Sequence, residues 1–198
     1  MILLLLSGAC REERSDDLVN VREYAPRAIL DIRYATANNF THHKVYDVAA
    51  CLLRRATAEK LGAAERSLLL RGLTLKIFDC YRPLSVQWKF WKLVPDTRYV
   101  ADPAKGSRHN RGAAVDLTIA DSATGKELDM GTGFDNFTDK AHRDYKQLPD
   151  AALANRRLLE QAMSAQGFIG LPTEWWHFDD ADWARYSLSN GPVLWLAD

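Results

Sequence analysis

Apolar positions in this chain recur with two different periods. Ala49, Leu52, Leu53, Ala56, Leu61, Ala64 and Leu68 are spaced mostly by three and four, with Arg54, Arg55, Glu59, Lys60 and Arg66 between them. That one-sided pattern predicts an amphipathic helix from Asp47 to Leu70. Gly62 lies inside it and marks the place where a break is expected, and Gly72 ends it. The period then changes to two: Leu73-Thr74-Leu75-Lys76-Ile77-Phe78 alternates and predicts a strand, closed by Asp79-Cys80-Tyr81-Arg82-Pro83. Proline suits a first helical turn, so a second helix should start near Pro83 and run through Val86, Trp88, Phe90 and Trp91 toward Leu93. Loop signals fill the stretch from Pro95 to Arg111.

Shorter patterns complete the set. Ala28 to Tyr34 reads as a strand, with Leu30, Ile32 and Tyr34 on one side and Asp31 and Arg33 on the other, before a turn at 38–41. Ala113 to Ile119 reads as another, with Val115, Leu117 and Ile119 opposite Asp116 and Thr118. A turn follows at 121–125 and a loop at 131–135. Ala151 to Gln166 predicts a third helix, with Leu158, Leu159 and Met163 inward and Gly167 closing it. Phe168–Gly170 and Trp175–Phe178 read as short strands interrupted at Pro172. Helices and strands mix without a regular βαβ repeat. The expected fold is α+β, a small, largely antiparallel sheet flanked by helices.

Composition narrows the function. The 198 residues are 47% apolar and 26% charged, enough for one domain with a full core. Net charge is zero, with 26 basic and 26 acidic side chains and no basic stripe, so nucleic acid is not the expected partner. A small substrate, recognised by a few placed groups, fits better. Nothing in the sequence specifies an oligomer. The expected organisation is a leader remnant and linker at 1–17 and a single domain at 18–198. Met1-Ile2-Leu3-Leu4-Leu5-Leu6 is too short to span a bilayer, which needs about 20 residues. Small residues running into Cys10 resemble a bacterial lipobox, although Ser7 stands where a leucine-like residue is usual. The expectation is an exported, periplasmic or lipid-anchored protein attached through Cys10; the alternative is a cytoplasmic one. Cys51 and Cys80 then remain as a pair, either a disulfide in an oxidising compartment or two buried thiols.

The chemistry concentrates in two fragments. Ser107-Arg108-His109-Asn110-Arg111-Gly112-Ala113-Ala114-Val115-Asp116 reads SxHxxGxAxD, and Glu174-Trp175-Trp176-His177 reads ExxH. Together they offer His109, Asp116 and His177 as ligands for one metal ion, with Glu174 to spare. Two imidazoles and a carboxylate suit a borderline cation such as Zn²⁺, one per chain, and three protein ligands leave a position open for catalysis. His109 sits in a loop and Asp116 in the following strand, so Gly112 must let the backbone turn for both to reach one ion. Glu174, expected at a bend after Pro172, would act as general base, taking a proton from the attacking water and later giving one to the leaving amine. Arg82, just past a strand end, could stabilise an oxyanion or bind a substrate carboxylate.

Each piece alone has an ordinary explanation. A lone histidine is more often packed or exposed than a ligand, and His42, His43 and His142 stay in that class. Trp175 and Trp176 read as core and cleft wall. Asp79 could simply cap the helix that follows it. ExxH and HxxxxxxD are weak separately. Their joint appearance, in this order and downstream of Tyr81-Arg82-Pro83, is specific.

Those fragments, with Asp31-Ile32-Arg33-Tyr34-Ala35-Thr36-Ala37-Asn38-Asn39-Phe40 and Asp129-Met130-Gly131-Thr132-Gly133-Phe134-Asp135, resemble the D-alanyl-D-alanine dipeptidases, the VanX-type zinc enzymes. The resemblance spans nearly all of the chain after 1–17. It implies the compact fold shared with D-Ala-D-Ala carboxypeptidases and the hedgehog signalling domain. It also implies zinc on His109, Asp116 and His177, Glu174 as base and Arg82 at the tetrahedral intermediate. Ser107 and Asp135 fall where family members hold the substrate's free amino end, and Tyr34 matches a substrate-pocket tyrosine. The implied substrate is a small D-dipeptide, D-alanyl-D-alanine. An exported copy could not deplete a cytoplasmic pool, so trimming dipeptide released from peptidoglycan suits it better than antibiotic resistance. The alternatives are a D,D-carboxypeptidase or peptidoglycan endopeptidase on the same metal core, and a non-catalytic hedgehog-like zinc-binding module. A non-haem iron oxygenase also uses two histidines and a carboxylate, but usually with the first histidine and the acid close in sequence.

Overall fold

The computed structural model describes residues 17–193. The leader reading, with Cys10, therefore lies outside the described residues except for Asp17. In chain order the elements are β1 (Leu18–Asn20), β2 (Ile29–Leu30), β3 (Leu52–Arg54), α1 (Arg55–Leu69), β4 (Leu73–Asp79), α2 (Leu84–Leu93), β5 (Ala114–Asp121), α3 (Asp150–Ser164), β6 (Phe168–Gly170) and β7 (His177–Asp180). Strands β2-β4-β5-β7-β6 form one sheet in that order, and β1 pairs with β3 in a separate ribbon. Only β2 and β4 run parallel; the other pairings are antiparallel. The expected α+β architecture is therefore present.

Alternation along the central strands sorts core from chemistry. Leu75 lies opposite Ile119 and Ile77 opposite Leu117, and all four enter one buried cluster with Leu61 and Leu68 of α1 and Leu159 and Met163 of α3. The two helices thus cover one face of the sheet, and Asp116 and Thr118 point the other way. Between Ile77 and Asp79 the register with β5 slips, so that Asp79 lies beside Asp116. Had the alternation continued, Asp79 would share the core face with Ile77. The irregularity re-aims it, as bulges do at strand ends near functional sites. On its other side Asp116 lies opposite His177 of β7. One row across three strands therefore carries Asp79, Asp116 and His177.

Several expected boundaries move. The helix begins at Arg55 rather than Asp47, because Leu52–Arg54 pairs with β1 instead. The strand expected over 28–34 stops at Leu30, and Arg33–Ala35 forms a 3₁₀ turn that contains Tyr34. Trp175 and Trp176 lie in a turn, and the strand starts at His177. Asp79 does not cap α2, whose N-cap is Pro83 with no side-chain hydrogen bond; the Asp79 carboxylate is taken by Arg82 instead.

Gly62 does not break α1. The helix runs through it, and glycine stands there because a Cβ would collide with the carbonyl oxygen of Tyr24. Glycine marks a close backbone approach at this point, not a helix end. Gly62→Ala, normally helix-favouring, should therefore destabilise the protein by about 1–3 kcal/mol through overpacking. A thermal melt reads this directly, and a raised Tm would contradict the close-approach account.

Cys51 and Cys80, both buried, form a disulfide that joins the segment before β3 to the end of β4. Closing a loop of 29 residues contributes about 3–4 kcal/mol in the chain-entropy account. Among the described residues no helix is long and apolar enough to cross a membrane.

Candidate metal centre and active site

His109 opens a 3₁₀ turn, His109–Arg111, that ends at Gly112 with φ +68°. A left-handed residue there lets the chain reverse from the His109 loop into β5, as expected. His109 Nε2 then lies 3.2 Å from His177 Nδ1 and 3.4 Å from Asp116 Oδ2, and His177 Nδ1 lies 3.0 Å from Asp116 Oδ1. All three residues are buried.

The outer partners of the two imidazoles fix their tautomers. His109 Nδ1 lies 2.7 Å from the carbonyl oxygen of Cys80, which can only accept, so Nδ1 carries the hydrogen. His177 Nε2 donates in the same way to Asp179 Oδ1 at 2.9 Å. Neutral rings therefore turn two bare lone pairs toward each other and toward a carboxylate. Such a cluster calls for a cation between its members. Burial works against a charged imidazole at His177, yet Asp179 and Asp116 outweigh it and push its pKa up to about 10. Burial likewise opposes ionisation of Asp116, yet His109 and His177 hold its carboxyl well below the usual carboxylate range. A proton can meet the demand, and so can a metal. Ligands about 2.1 Å from a tetrahedral ion stand about 3.4 Å apart, close to the separations here. His109, Asp116 and His177 are the cluster among the described residues that could hold a metal ion. The donor set, two nitrogens and one carboxylate, fits Zn²⁺.

Arg82 is buried beside this cluster. Its Nε and Nη2 donate to Asp79 Oδ2 at 3.1 and 2.6 Å, and its Nη1 donates to Gln87 Oε1 at 2.8 Å. Asp79 is itself held by the Tyr46 hydroxyl at 2.8 Å and the Cys80 amide at 2.9 Å, and Gln87 Nε2 donates to the Ala101 carbonyl at 2.8 Å. The guanidinium therefore has little freedom, and its Nη2 stands 3.9 Å from Asp116 Oδ2. Glu174 lies at the bend before β7 and is buried. Loss of solvent pushes its pKa up to about 8; Asp116 and Asp135 add to the rise, and His177 and Arg82 oppose it. A carboxyl with a pKa near neutrality can both take and return a proton.

A cavity of about 100 Å³ is lined by all eight residues singled out in the sequence: Tyr34, Arg82, Ser107, His109, Asp116, Asp135, Glu174 and His177. Asp135 adopts φ +60° and accepts from the Phe40 amide at 3.1 Å and the Tyr34 hydroxyl at 3.0 Å. Burial pushes its carboxyl up to about 7. Trp176 lines the same cavity, whereas Trp175 packs in the core beside it and donates from its indole to Thr132. His42, His43 and His142 stand apart from the cavity lining, as expected.

Sequence reasoning missed Asp179, Gln87 and Tyr46, and it misread Asp79. Asp179 had a signal, because residues two apart on a strand share a face, and His177 and Asp179 both lie in β7. The Cys80 carbonyl had none, since any residue supplies one.

The model of the D-ala-D-ala dipeptidase family matches residues 14–190. The D-alanyl-D-alanine dipeptidase of Escherichia coli K12 is 40% identical over 172 residues, covering 87% of this chain and 89% of that protein. The Enterococcus faecalis protein of the same name is 31% identical over 168 residues, covering 75% of this chain and 83% of its own length. Among solved structures, a vancomycin-resistance D,D-pentapeptidase in complex with Zn(II) aligns over 68% of this chain and 75% of its own with a TM-score of 0.43 and 17% identity, a likeness too distant to bear on the chemistry here. With the site and these relatives in agreement, the chain belongs to the D-alanyl-D-alanine dipeptidase family, a family of hydrolases.

Proposed function

We propose that the protein is a zinc-dependent dipeptidase that hydrolyses D-alanyl-D-alanine to two molecules of D-alanine. The observation that carries this reading is the convergence of two imidazole lone pairs and a carboxylate with a buried glutamate and a fixed arginine in one small cavity. His109 Nε2, His177 Nδ1 and Asp116 would hold the ion. When bound, Zn²⁺ supplies a Lewis acid that polarises the peptide carbonyl and eases loss of a proton from water.

The remaining steps belong to the chain's own residues. Glu174 takes the proton from the attacking water as the C–O bond forms. It returns that proton to the amide nitrogen as the C–N bond breaks, so one water is consumed and two amino acids leave. Arg82, held by Asp79 and Gln87, faces the metal ligands and stabilises the oxyanion that develops on the carbonyl oxygen. Asp135, steadied by Tyr34, and Ser107 bind the free ammonium. A cavity of about 100 Å³ is small beside ordinary ligand pockets of about 300–1,000 Å³, which favours a dipeptide over a longer chain. Comparing free with N-acetylated D-alanyl-D-alanine tests the amine-reading pocket. Turnover should be confined to the free dipeptide, and efficient cleavage of the blocked one would move the assignment to a carboxypeptidase.

Asp179 is a positioning residue in this account, since it holds the ligand nitrogen of His177 toward the ion through the opposite side of the ring. Losing such an outer partner costs about 10- to 100-fold in metal affinity. Asp179→Ala should weaken zinc binding by that factor in competition with a chelator, and unchanged affinity would reduce Asp179 to packing.

The Cys51–Cys80 disulfide supports an oxidising compartment for the protein, and with it the exported, wall-turnover role, anchored through Cys10. Fractionation of cells expressing the full chain tests this: protein found with the cytoplasm, its cysteines reactive, would contradict it.

A further inference from the structure

A dipeptide has a charged group at each end, and only its ammonium has been given a partner. Three cationic side chains line the cavity: Arg82, Arg98 and Arg108. Arg82 donates from all three of its nitrogens to Asp79 and Gln87 and stands beside the metal ligands. That place beside the metal ligands suits the oxyanion role proposed for it above. Arg98 is chelated by Asp96 through Nε and Nη2, and its side chain is 70% exposed, where water screens it.

Arg108 differs from both. It lies between Ser107 and the ligand His109, its backbone fixed by the 3₁₀ turn that follows. Its guanidinium sits over the Trp183 ring, 4.7 Å from the centroid, a contact that holds it in place before any ligand arrives. Its Nε is buried without a hydrogen-bond partner and makes a 3.6 Å ion pair with Asp179 Oδ2, while the side chain as a whole is 42% exposed, less than that of Arg98. Arg108 also lines a second hollow with Lys105, Arg111, Trp183 and one acid, Asp102, and that hollow shares Thr97, Ala101 and Arg108 with the catalytic cavity. The positive side of the cavity therefore lies at the Arg108 wall, where a fork of N–H groups could meet the two oxygens of a carboxylate.

We propose that Arg108 binds the α-carboxylate of the substrate's C-terminal residue and so restricts the site to peptides with a free C-terminus. The inference rests on the dipeptidase reading above. It leaves Arg82 free for the oxyanion and gives each end of the dipeptide its own counter-charge.

The test compares D-alanyl-D-alanine with its C-terminal amide, in the zinc-loaded wild-type protein and in Arg108→Met and Arg108→Lys. Wild type should favour the free acid by about 10- to 100-fold in kcat/KM, the range for a charge-assisted hydrogen bond. In Arg108→Met the preference should shrink to within about threefold, through KM more than kcat, with zinc content and Tm unchanged. Arg108→Lys should restore part of it. A preference that persists in Arg108→Met, or is absent from wild type, overturns the inference and leaves the dipeptidase reading standing. Loss of zinc from both variants would also overturn it, assigning Arg108 to the support of Asp179 instead. A wild-type protein that cleaves neither compound removes the dipeptidase reading, and this inference falls with it.

Discussion

Glu174→Ala should bind zinc as wild type does and lose nearly all turnover. The three ligand atoms lie on other residues, and none of their hydrogen bonds uses Glu174. In the proposed mechanism the substitution removes the group that moves a proton between the water and the leaving nitrogen, a role worth about 10²- to 10⁴-fold in rate. It also removes a buried carboxyl that burial has pushed up to about 8, so the fold should not suffer for its loss. The pH dependence has a defined sign. Glu174 must be ionised to accept a proton, so kcat/KM should rise with pH on the acid side. A divalent cation beside the carboxyl pulls its pKa down, so the half-maximal point should fall below 8. Metal analysis and steady-state kinetics on the same preparation check all of this. Retained activity, or an acid limb that survives in Glu174→Gln, would take Glu174 out of the mechanism.

His177→Ala should lose both zinc and activity. It deletes one of the three proposed ligands, and it leaves Asp116 and Asp179 buried without the imidazole that now lies between them. Uncompensated buried charge is costly, about 3–5 kcal/mol when one partner of such a pair is removed, so a lower Tm should accompany the loss. The informative readout is zinc per chain after dialysis against metal-free buffer. Stoichiometric zinc in His177→Ala would contradict the ligand set, whatever the activity.

The sequence announced the site more fully than the fold around it. Metal chemistry demands particular side chains, and His109, Asp116, His177 and Glu174 are legible because few residue types serve. They all line one cavity. What could not be read was the support beneath them. The Cys80 carbonyl that orients His109 is a backbone group. The register slip that turns Asp79 toward Arg82 has no sequence mark, so Asp79 read as a helix cap. Boundaries moved for a related reason. Leu52 and Leu53 fit a helical period as well as a strand, and pairing with Leu18–Asn20, 32 or more residues away in the chain, decided for the strand. Tyr34 suited the alternation of a long strand, but β2 ends at Leu30 and a 3₁₀ turn sets the ring against Phe40, Tyr46 and Phe90. Gly62 read as a break because a sequence does not show which backbone lies close by. In each case a tertiary contact overrode a local pattern, as it does when several local choices are nearly equal.

The most direct measurement is D-alanine release from D-alanyl-D-alanine by the purified protein, before and after a chelator and again after zinc is returned. The account predicts release that stops with the chelator and resumes with about one zinc per chain, the single site formed by three ligands. Release that continues in a protein stripped of metal would contradict it, and so would a zinc-loaded, folded protein that leaves the dipeptide intact.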